Sequence, residues 1–121
     1  MQYLLLIYTN ENNFEKQTEA ERGKITGEYM DFTKGIASSG QYKGGNRLDL
    51  TSKATTVRVR DGKRLVVDGP FAETKEQLAG YFLVEAKDLD EAIGIAARIP
   101  GARFGSIEVR PIVPVNIPSL V

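Results

Sequence analysis

The sequence contains neither cysteine nor histidine, and these two absences remove several classes of chemistry. Without cysteine there is no disulfide, no thiolate nucleophile and no cysteine-based metal site. Without histidine the chain lacks the commonest general base and the commonest zinc ligand. Any acid–base chemistry must therefore use Asp, Glu, Lys or Tyr side chains, and we predict neither a metal nor a cofactor.

The chain also lacks an excess of charge of either sign, because 16 Lys and Arg residues balance 16 Asp and Glu residues. Proteins that bind DNA or RNA usually carry excess positive charge, since contacts to phosphates supply much of their affinity. We therefore predict no nucleic-acid partner.

Long hydrophobic runs are missing as well. No segment has the length needed to span a bilayer, and no basic residue precedes the apolar run at residues 4–7, as it would in a signal peptide. We expect a cytoplasmic protein without a membrane partner.

What remains is the composition of one globular domain. The chain has 121 residues, of which 41% are hydrophobic and 26% are charged, so it is long and apolar enough to form one core. We predict a single domain over residues 1–112. Residues 113–121 form a tail rich in proline, which we expect to be extended and to pack on the domain or on a partner subunit.

Hydrophobic spacing and capping signals predict the first half of the fold. The apolar run at residues 2–8 predicts a buried strand, followed by a polar loop at residues 9–13. Thr18 and Glu21 have the spacing of a capping box and predict a helix over residues 18–39, which ends before Gly40.

The second half contains a hairpin, two strands and a helix. Residues 41–50 indicate an irregular strand, and Asp61-Gly62 between two β-rich runs predicts a tight hairpin. Strands are predicted at residues 80–86 and 106–112. A helix is predicted between Asp88 and Pro100, with one apolar face. That face consists of Leu89, Ala92, Ile93, Ala96 and Ala97.

This order of elements repeats a split βαβ unit, with a hairpin inserted between the two halves. It predicts an α+β fold of ferredoxin-like type, whose antiparallel sheet carries both helices on one face. The other face would stay uncovered, although its strands are too apolar for water. A second copy of the chain is the simplest cover, so we predict a homodimer.

Residues 55–112 closely resemble the YCII-related family, in particular the branch named for its Asp-Gly-Pro-Phe (DGPF) motif. The motif here is Asp68-Gly69-Pro70-Phe71, and the opening residues MQYLLLIYTNE fit the start of the family. The resemblance implies a ferredoxin-like fold in the form of a dimeric α/β barrel, with a small-molecule pocket between helices and sheet.

The resemblance also bears on activity and partners. Some distant relatives look like enzymes that use a His–Asp pair, which this sequence cannot form because it has no histidine. Members of the Asp-Gly-Pro-Phe branch are often associated with sigma factors of the extracytoplasmic-function type. The resemblance therefore implies regulation linked to a sigma factor and leaves catalysis open, with a non-catalytic role favoured.

The motif supplies the one candidate for a catalytic group. Asp68 is either a proton-transfer carboxylate at a strand end or a residue that opens a turn, and we favour the turn. Gly69 and Pro70 would hold the loop in a fixed geometry. Phe71 either lines a ligand site or anchors the loop in the core, and we favour the anchor.

Four more residues are candidates for ligand binding, each with an ordinary structural alternative. Thr74 begins a predicted helical turn that could hold an anion but more simply caps that turn. Lys75 and Arg58 could bind a substrate anion, although solvated side chains are the simpler interpretation. Tyr81 could offer a hydroxyl group to a pocket, and core packing is its alternative.

These observations lead to a homodimeric small-molecule-binding or regulatory domain as the predicted function. One alternative is an enzyme that acts on a small cyclic or aromatic substrate, with Asp68 transferring a proton. Another is a module that interacts with a transcription factor and takes part in sigma-factor regulation.

Overall fold

A four-stranded antiparallel sheet organises the protein, whose computed structural model describes residues 1–115. The strand order is β2-β5-β1-β6, and a separate hairpin consists of β3 and β4. In chain order the strands are β1 (Gln2–Thr9), β2 (Tyr42–Arg47), β3 (Thr55–Arg60), β4 (Lys63–Asp68), β5 (Gln77–Glu85) and β6 (Ser106–Pro111). The helices are α1 (Glu11–Lys16), α2 (Glu19–Ser38) and α3 (Leu89–Arg98). This is the ferredoxin-like α+β fold that the sequence predicts.

Alternation along the central strands separates a helix-covered face from an open face. Leu5 of β1 is fully buried and lies opposite Phe82 of β5 on the helix-covered face. Leu4 and Leu6 point the other way and are only half-buried. The sheet thus has the bare side that the sequence predicts, and we call it the open face.

The core lies between the helix-covered face and the two long helices. Phe82 packs edge-on against Phe32 of α2, with ring centroids 5.1 Å apart. Most of the buried core side chains are aliphatic: Leu5, Ile7, Ile36, Val84, Ile95 and Ile99. Burial of such side chains contributes about 1.5–3 kcal/mol each, so this layer dominates the stability of the fold.

Capping residues start both long helices where the sequence predicts. The Thr18 hydroxyl accepts the Glu21 backbone N–H at 3.1 Å and donates to the Glu21 carboxylate at 3.0 Å. The Asp88 carboxylate accepts the Glu91 N–H at 2.9 Å. Gly40 follows α2 with a φ of +78°, a conformation that glycine adopts without strain.

The predicted apolar face of α3 is rotated from the observed one. Ile95 is buried although it was not assigned to that face, whereas Leu89 and Ile93 are each 49% exposed. The reason is that the helix continues into a short turn at Pro100–Arg103, and the buried Ile99 sets the contact line at positions 92, 95, 96 and 99.

A short helix, α1, occupies part of the predicted polar loop. The Asn10 side chain caps it by accepting the Asn12 backbone N–H at 2.9 Å. The prediction missed this helix because its six residues are too few to show an apolar period.

The hairpin forms as predicted and stands apart from the core. Asp61 and Gly62 have φ values of +52° and +73°, as a type I′ turn requires. Arg58 pairs with Leu65, and Arg60 pairs with Lys63. Every residue of β4 is exposed, so the hairpin shares almost no buried surface with the rest of the chain.

The C-terminal tail is described only in part. Val113 and Val115 are 77% and 68% exposed, and residues 116–121 lie outside the described residues. The packing of the tail on the domain or a partner stays a prediction. No helix of the described part of the chain is both long and apolar enough to cross a membrane.

Candidate functional site

The loop over residues 69–76 joins the hairpin to β5, and its first residue is tightly fixed. The Gly69 N–H donates to the Ala54 carbonyl at 2.7 Å, and the Gly69 carbonyl accepts the Thr56 hydroxyl at 2.8 Å. Gly69 has a φ of +98°, a conformation that side chains disfavour. The base of the hairpin therefore holds the start of the Asp-Gly-Pro-Phe loop by one backbone bond and one bond from a side-chain hydroxyl.

The other residues of the motif face solvent. Asp68 and Pro70 are exposed, and Phe71 is 79% exposed. Within one protomer Phe71 therefore does not anchor the loop in the core. An aromatic side chain with this exposure gains nothing from its own chain, so its surface is open to a ligand or to a second subunit.

The predicted helical turn at Thr74 is wrong. The Thr74 hydroxyl donates to the Glu76 carbonyl, and the Gln77 side-chain amide donates to the Thr74 carbonyl at 2.5 Å. These bonds make a bend that leads into β5 instead of a capped helix, because Gln77 already pairs with Thr9 of β1. Thr74 thus offers no helix N-terminus to an anion, and Lys75 is exposed beside it.

Register places Asp68 and Arg58 on opposite faces of the hairpin. Asp68 lies opposite Thr55 and shares its face with Val57 and Val66, whereas Arg58 lies opposite Leu65 on the other face. Within one protomer a substrate held by Arg58 would therefore be out of reach of Asp68.

Tyr81 belongs to the open face of the sheet. It is half-buried, lies opposite Leu6, and its hydroxyl accepts the Asn46 side-chain amide at 2.8 Å. Tyr8 lies on the same face, with its hydroxyl 3.4 Å from the Glu108 carboxylate. The open face thus combines leucines with phenolic hydroxyl groups, whereas core packing of Tyr81 had been the simpler expectation.

The end of β1 carries a polar cluster that the sequence did not suggest. The Glu11 carboxylate accepts the Thr51 N–H at 2.7 Å and the Thr51 hydroxyl at 2.8 Å. The Glu11 N–H donates to the Gln77 side chain at 2.9 Å. These bonds fasten the segment after β2 to α1 and to the start of β5, so this carboxylate has a structural role.

Phe14 of α1 lies between two arginines. The guanidinium carbon atoms of Arg22 and Arg47 are 4.9 and 5.2 Å from its ring centroid. Both arginines are exposed, and Phe14 is half-buried. Sequence reasoning missed this group because its members are distant along the chain and meet only through the position of β2.

Tyr29 of α2 contacts the turn at Pro100–Arg103. Its hydroxyl accepts the Gly101 N–H at 3.1 Å. Burial raises the pKa of Tyr29, while the hydrogen bond from Gly101 and the positive charges of Arg103 and Arg47 offset part of that increase.

Among the shallow grooves on the surface of residues 1–115 are two that the loop over residues 69–76 does not line. One, of about 350 Å³, runs between α2 and the end of α3. The other, of about 370 Å³, lies beside the N-terminus and the loop after α2. Within residues 1–115 no cluster of three or more acidic side chains has the arrangement of a metal site.

Comparison with solved structures identifies the fold. The chain superposes with a TM-score of 0.54 on the 5-chloro-2-hydroxyhydroquinone dehydrochlorinase of Burkholderia phenoliruptrix AC1100, solved in complex with 2,5-dihydroxybenzoquinone. The match covers 93% of this chain and 94% of that one at 12% identity. At this identity the likeness concerns the fold alone.

Comparison of sequences identifies the family. An uncharacterized protein of Rhizobium meliloti (strain 1021) is 35% identical over 114 residues, which is 93% of this chain and 92% of the relative. The profile of the YCII-related domain matches residues 1–116. The chain therefore belongs to the family of YCII-related domains.

Proposed function

We propose that the chain functions as a homodimer, in which two open faces and two hairpins enclose a site for a small organic molecule. The observation that carries the proposal is the surface of one protomer. It exposes 8750 Å², whereas a compact monomer of this mass exposes about 6,500 Å².

The excess of exposed surface area is too large to come from residues 116–121 alone. Six fully extended residues, as an upper bound for residues 116–121, would account for about 900 Å². At least about 1,300 Å² of excess then remains, and a standard interface needs about 800 Å² from each partner.

Apolar side chains of the hairpin supply much of this surface. Val57, Val59 and Val66 lie on one hairpin face and are 57%, 62% and 57% exposed. A two-stranded hairpin on its own is at best marginally stable in water, because it buries too little apolar area. Contact with a second copy would supply the missing burial.

The enclosed site would combine apolar side chains with a few hydroxyl and charged groups, and a few placed polar groups in an apolar lining are usual in a small-molecule pocket. Leu6 and Leu83 would form its walls, and Tyr8 and Tyr81 would orient the ligand. Phe71 and Lys75 on the loop over residues 69–76 would lie at its rim, within reach of either subunit.

Dimer dissociation measured on a matched pair of variants tests this proposal. Val57→Lys places a charge in the proposed interface and should weaken the dimer at least a hundredfold in sedimentation velocity. Ile93→Lys changes an exposed side chain of α3 and should leave the dissociation constant unchanged. Equal dissociation constants for the two variants would remove the hairpin from the interface.

An enzyme that acts on a small cyclic substrate is the second candidate. The similar fold of the dehydrochlorinase, whose structure holds a dihydroxybenzoquinone, favours it. In this reading Asp68 transfers a proton, and Lys75 is the cation on the same loop that could hold the substrate.

Chloride release from 5-chloro-2-hydroxyhydroquinone by the purified protein tests whether the protein has this second function. The second candidate requires turnover that Asp68→Asn abolishes while the fold is kept. Turnover that Asp68→Asn leaves unchanged would exclude the assigned role of Asp68. The link to sigma-factor regulation stays a prediction from the motif.

A further inference from the structure

The group formed by Phe14, Arg22 and Arg47 has the features of an anion site. The sum of the two distances to the Phe14 centroid limits the separation of the guanidinium carbons to about 10 Å. A separation of this size is close to the Debye length of about 8 Å at physiological ionic strength, so the mutual repulsion of the two exposed charges is partly screened. The shared ring keeps both charges in one region of the surface.

No carboxylate within residues 1–115 forms an ion pair with Arg22 or Arg47. The ion pairs of that part of the chain join the N-terminus to Glu85, Arg103 to Glu28, and Arg110 to Glu108. Arg22 donates one hydrogen bond to the Gln17 carbonyl at 3.0 Å, and that acceptor is neutral. The site therefore presents two positive charges without an ion-paired carboxylate from the described residues.

A cation–π contact leaves the hydrogen-bond donors of both guanidinium groups available, apart from the one that Arg22 donates to Gln17. An arginine over an aromatic ring uses the face of its planar group, while its N–H bonds point outward in the plane. Those in-plane donors match the oxygens of a carboxylate or phosphate, with which arginine forms paired hydrogen bonds. The ring thus places the donors of two arginines in one region of the surface.

We propose that Arg22 and Arg47, held on Phe14, bind the oxyanion of a small organic acid, either a carboxylate or a phosphate ester. The site lies on the helix side of the sheet, because Arg47 shares a face of β2 with Gly45, whose Cα faces the Phe82 ring. It is thus distinct from the open face and does not depend on the homodimer.

Titration of the isotope-labelled full chain at an ionic strength of about 0.15 M tests the site. The probes are sodium benzoate and inorganic phosphate, each followed by backbone amide shifts. We expect saturable shifts at residues 14, 22 and 47, and Arg47→Gln should weaken binding tenfold or more. Saturation by benzoate alone identifies a carboxylate site, and saturation by phosphate alone identifies a phosphate site.

Lys24→Gln is the matched control, because it removes one positive charge two residues from Arg22 without changing the ring contacts. It should leave the affinity within about twofold, since the effect of an exposed charge is screened. Arg22→Gln replaces Arg47→Gln if the latter does not fold. No saturable shift with either probe, or equal losses in Arg47→Gln and Lys24→Gln, would overturn the proposal.

Discussion

Gly105 allows β6 to begin directly against the backbone of β1. A Cβ atom at this position would lie 2.0 Å from the Tyr8 carbonyl oxygen, and Tyr8 is fixed because it pairs with Ser106. We expect Gly105→Ala to lower the free energy of unfolding by about 2 kcal/mol or more, since neither backbone can move without breaking the pairing.

Gly94 is the matched control for this substitution. It lies in α3, and a Cβ atom there would meet no atom within 4 Å. Gly94→Ala should raise the free energy of unfolding by about 0.5–1 kcal/mol, because alanine favours the helix. Urea unfolding of both variants measures the two changes in the free energy of unfolding. A Gly105→Ala protein as stable as the wild type would contradict the described start of β6.

Tyr29 should make stability depend on pH at the alkaline end. Its pKa is raised above 10 in the folded protein, chiefly because burial disfavours the phenolate. The folded state therefore binds this proton more tightly than the unfolded state does. The resulting stability is complete below pH 10 and is lost as the pH rises through the folded-state pKa.

Tyr29→Phe isolates this contribution. It should cost about 1–3 kcal/mol near neutral pH, because the Gly101 N–H loses its acceptor. It should also make the loss of stability above pH 10 shallower than in the wild type. Urea unfolding at several pH values from 8 to 11 tests this, and identical slopes for both proteins would contradict the burial of the phenol.

Some features of single residues could be predicted from the sequence, and others depend on the tertiary structure. The positive φ of Gly69 is one that the sequence allows, because glycine has no Cβ atom to disfavour it. The exposure of Phe71 does not follow from the sequence, because an aromatic residue after a turn normally packs on its own chain. The contact of two arginines with Phe14 could not be predicted from the sequence either, because it depends on where β2 lies and not on spacing along the chain.

The N-terminal cap of α2 illustrates an element whose start is set locally. The reciprocal bonds between Thr18 and Glu21 satisfy helix donors that would otherwise lack partners. Thr18→Ala should lower the free energy of unfolding by about 1 kcal/mol. Thr26→Ala, at an exposed position inside the same helix, should instead raise it slightly, because alanine has the higher helix propensity.

Thermal or urea denaturation of the two threonine variants is the measurement. Both variants replace threonine with alanine, at positions eight residues apart. Changes of opposite sign in the free energy of unfolding would therefore isolate the contribution of the N-terminal cap. Destabilisation of equal size by both variants would mean that the hydroxyl of Thr18 has no special role.

Elements with strong local sequence signals could be predicted, whereas elements with weak signals could not. The hairpin, both long helices and the sheet strands follow from turn residues, caps and apolar runs. The same capping pattern at Thr74 and Gln77 predicted a turn that does not form, because Gln77 pairs in β5 and that pairing prevents helical dihedrals. Local capping decides a helix only where tertiary pairing leaves the segment free.

At the scale of the whole molecule, exposed apolar surface is the feature that requires explanation. The sheet is covered on one side only, and the hairpin valines face water in a single protomer. Monomeric proteins rarely leave contiguous apolar patches of this kind, because such patches associate. A second copy with two-fold symmetry would cover both surfaces at once, since each subunit offers the same face and the same hairpin.

Sedimentation equilibrium of the wild-type chain, followed by dilution from high to low micromolar concentration, tests this central claim most directly. The account predicts one species of twice the 13.3 kDa mass of a single chain, which dissociates only at the lowest concentrations. A folded species of 13.3 kDa throughout, with hairpin amides protected from hydrogen exchange, would contradict it.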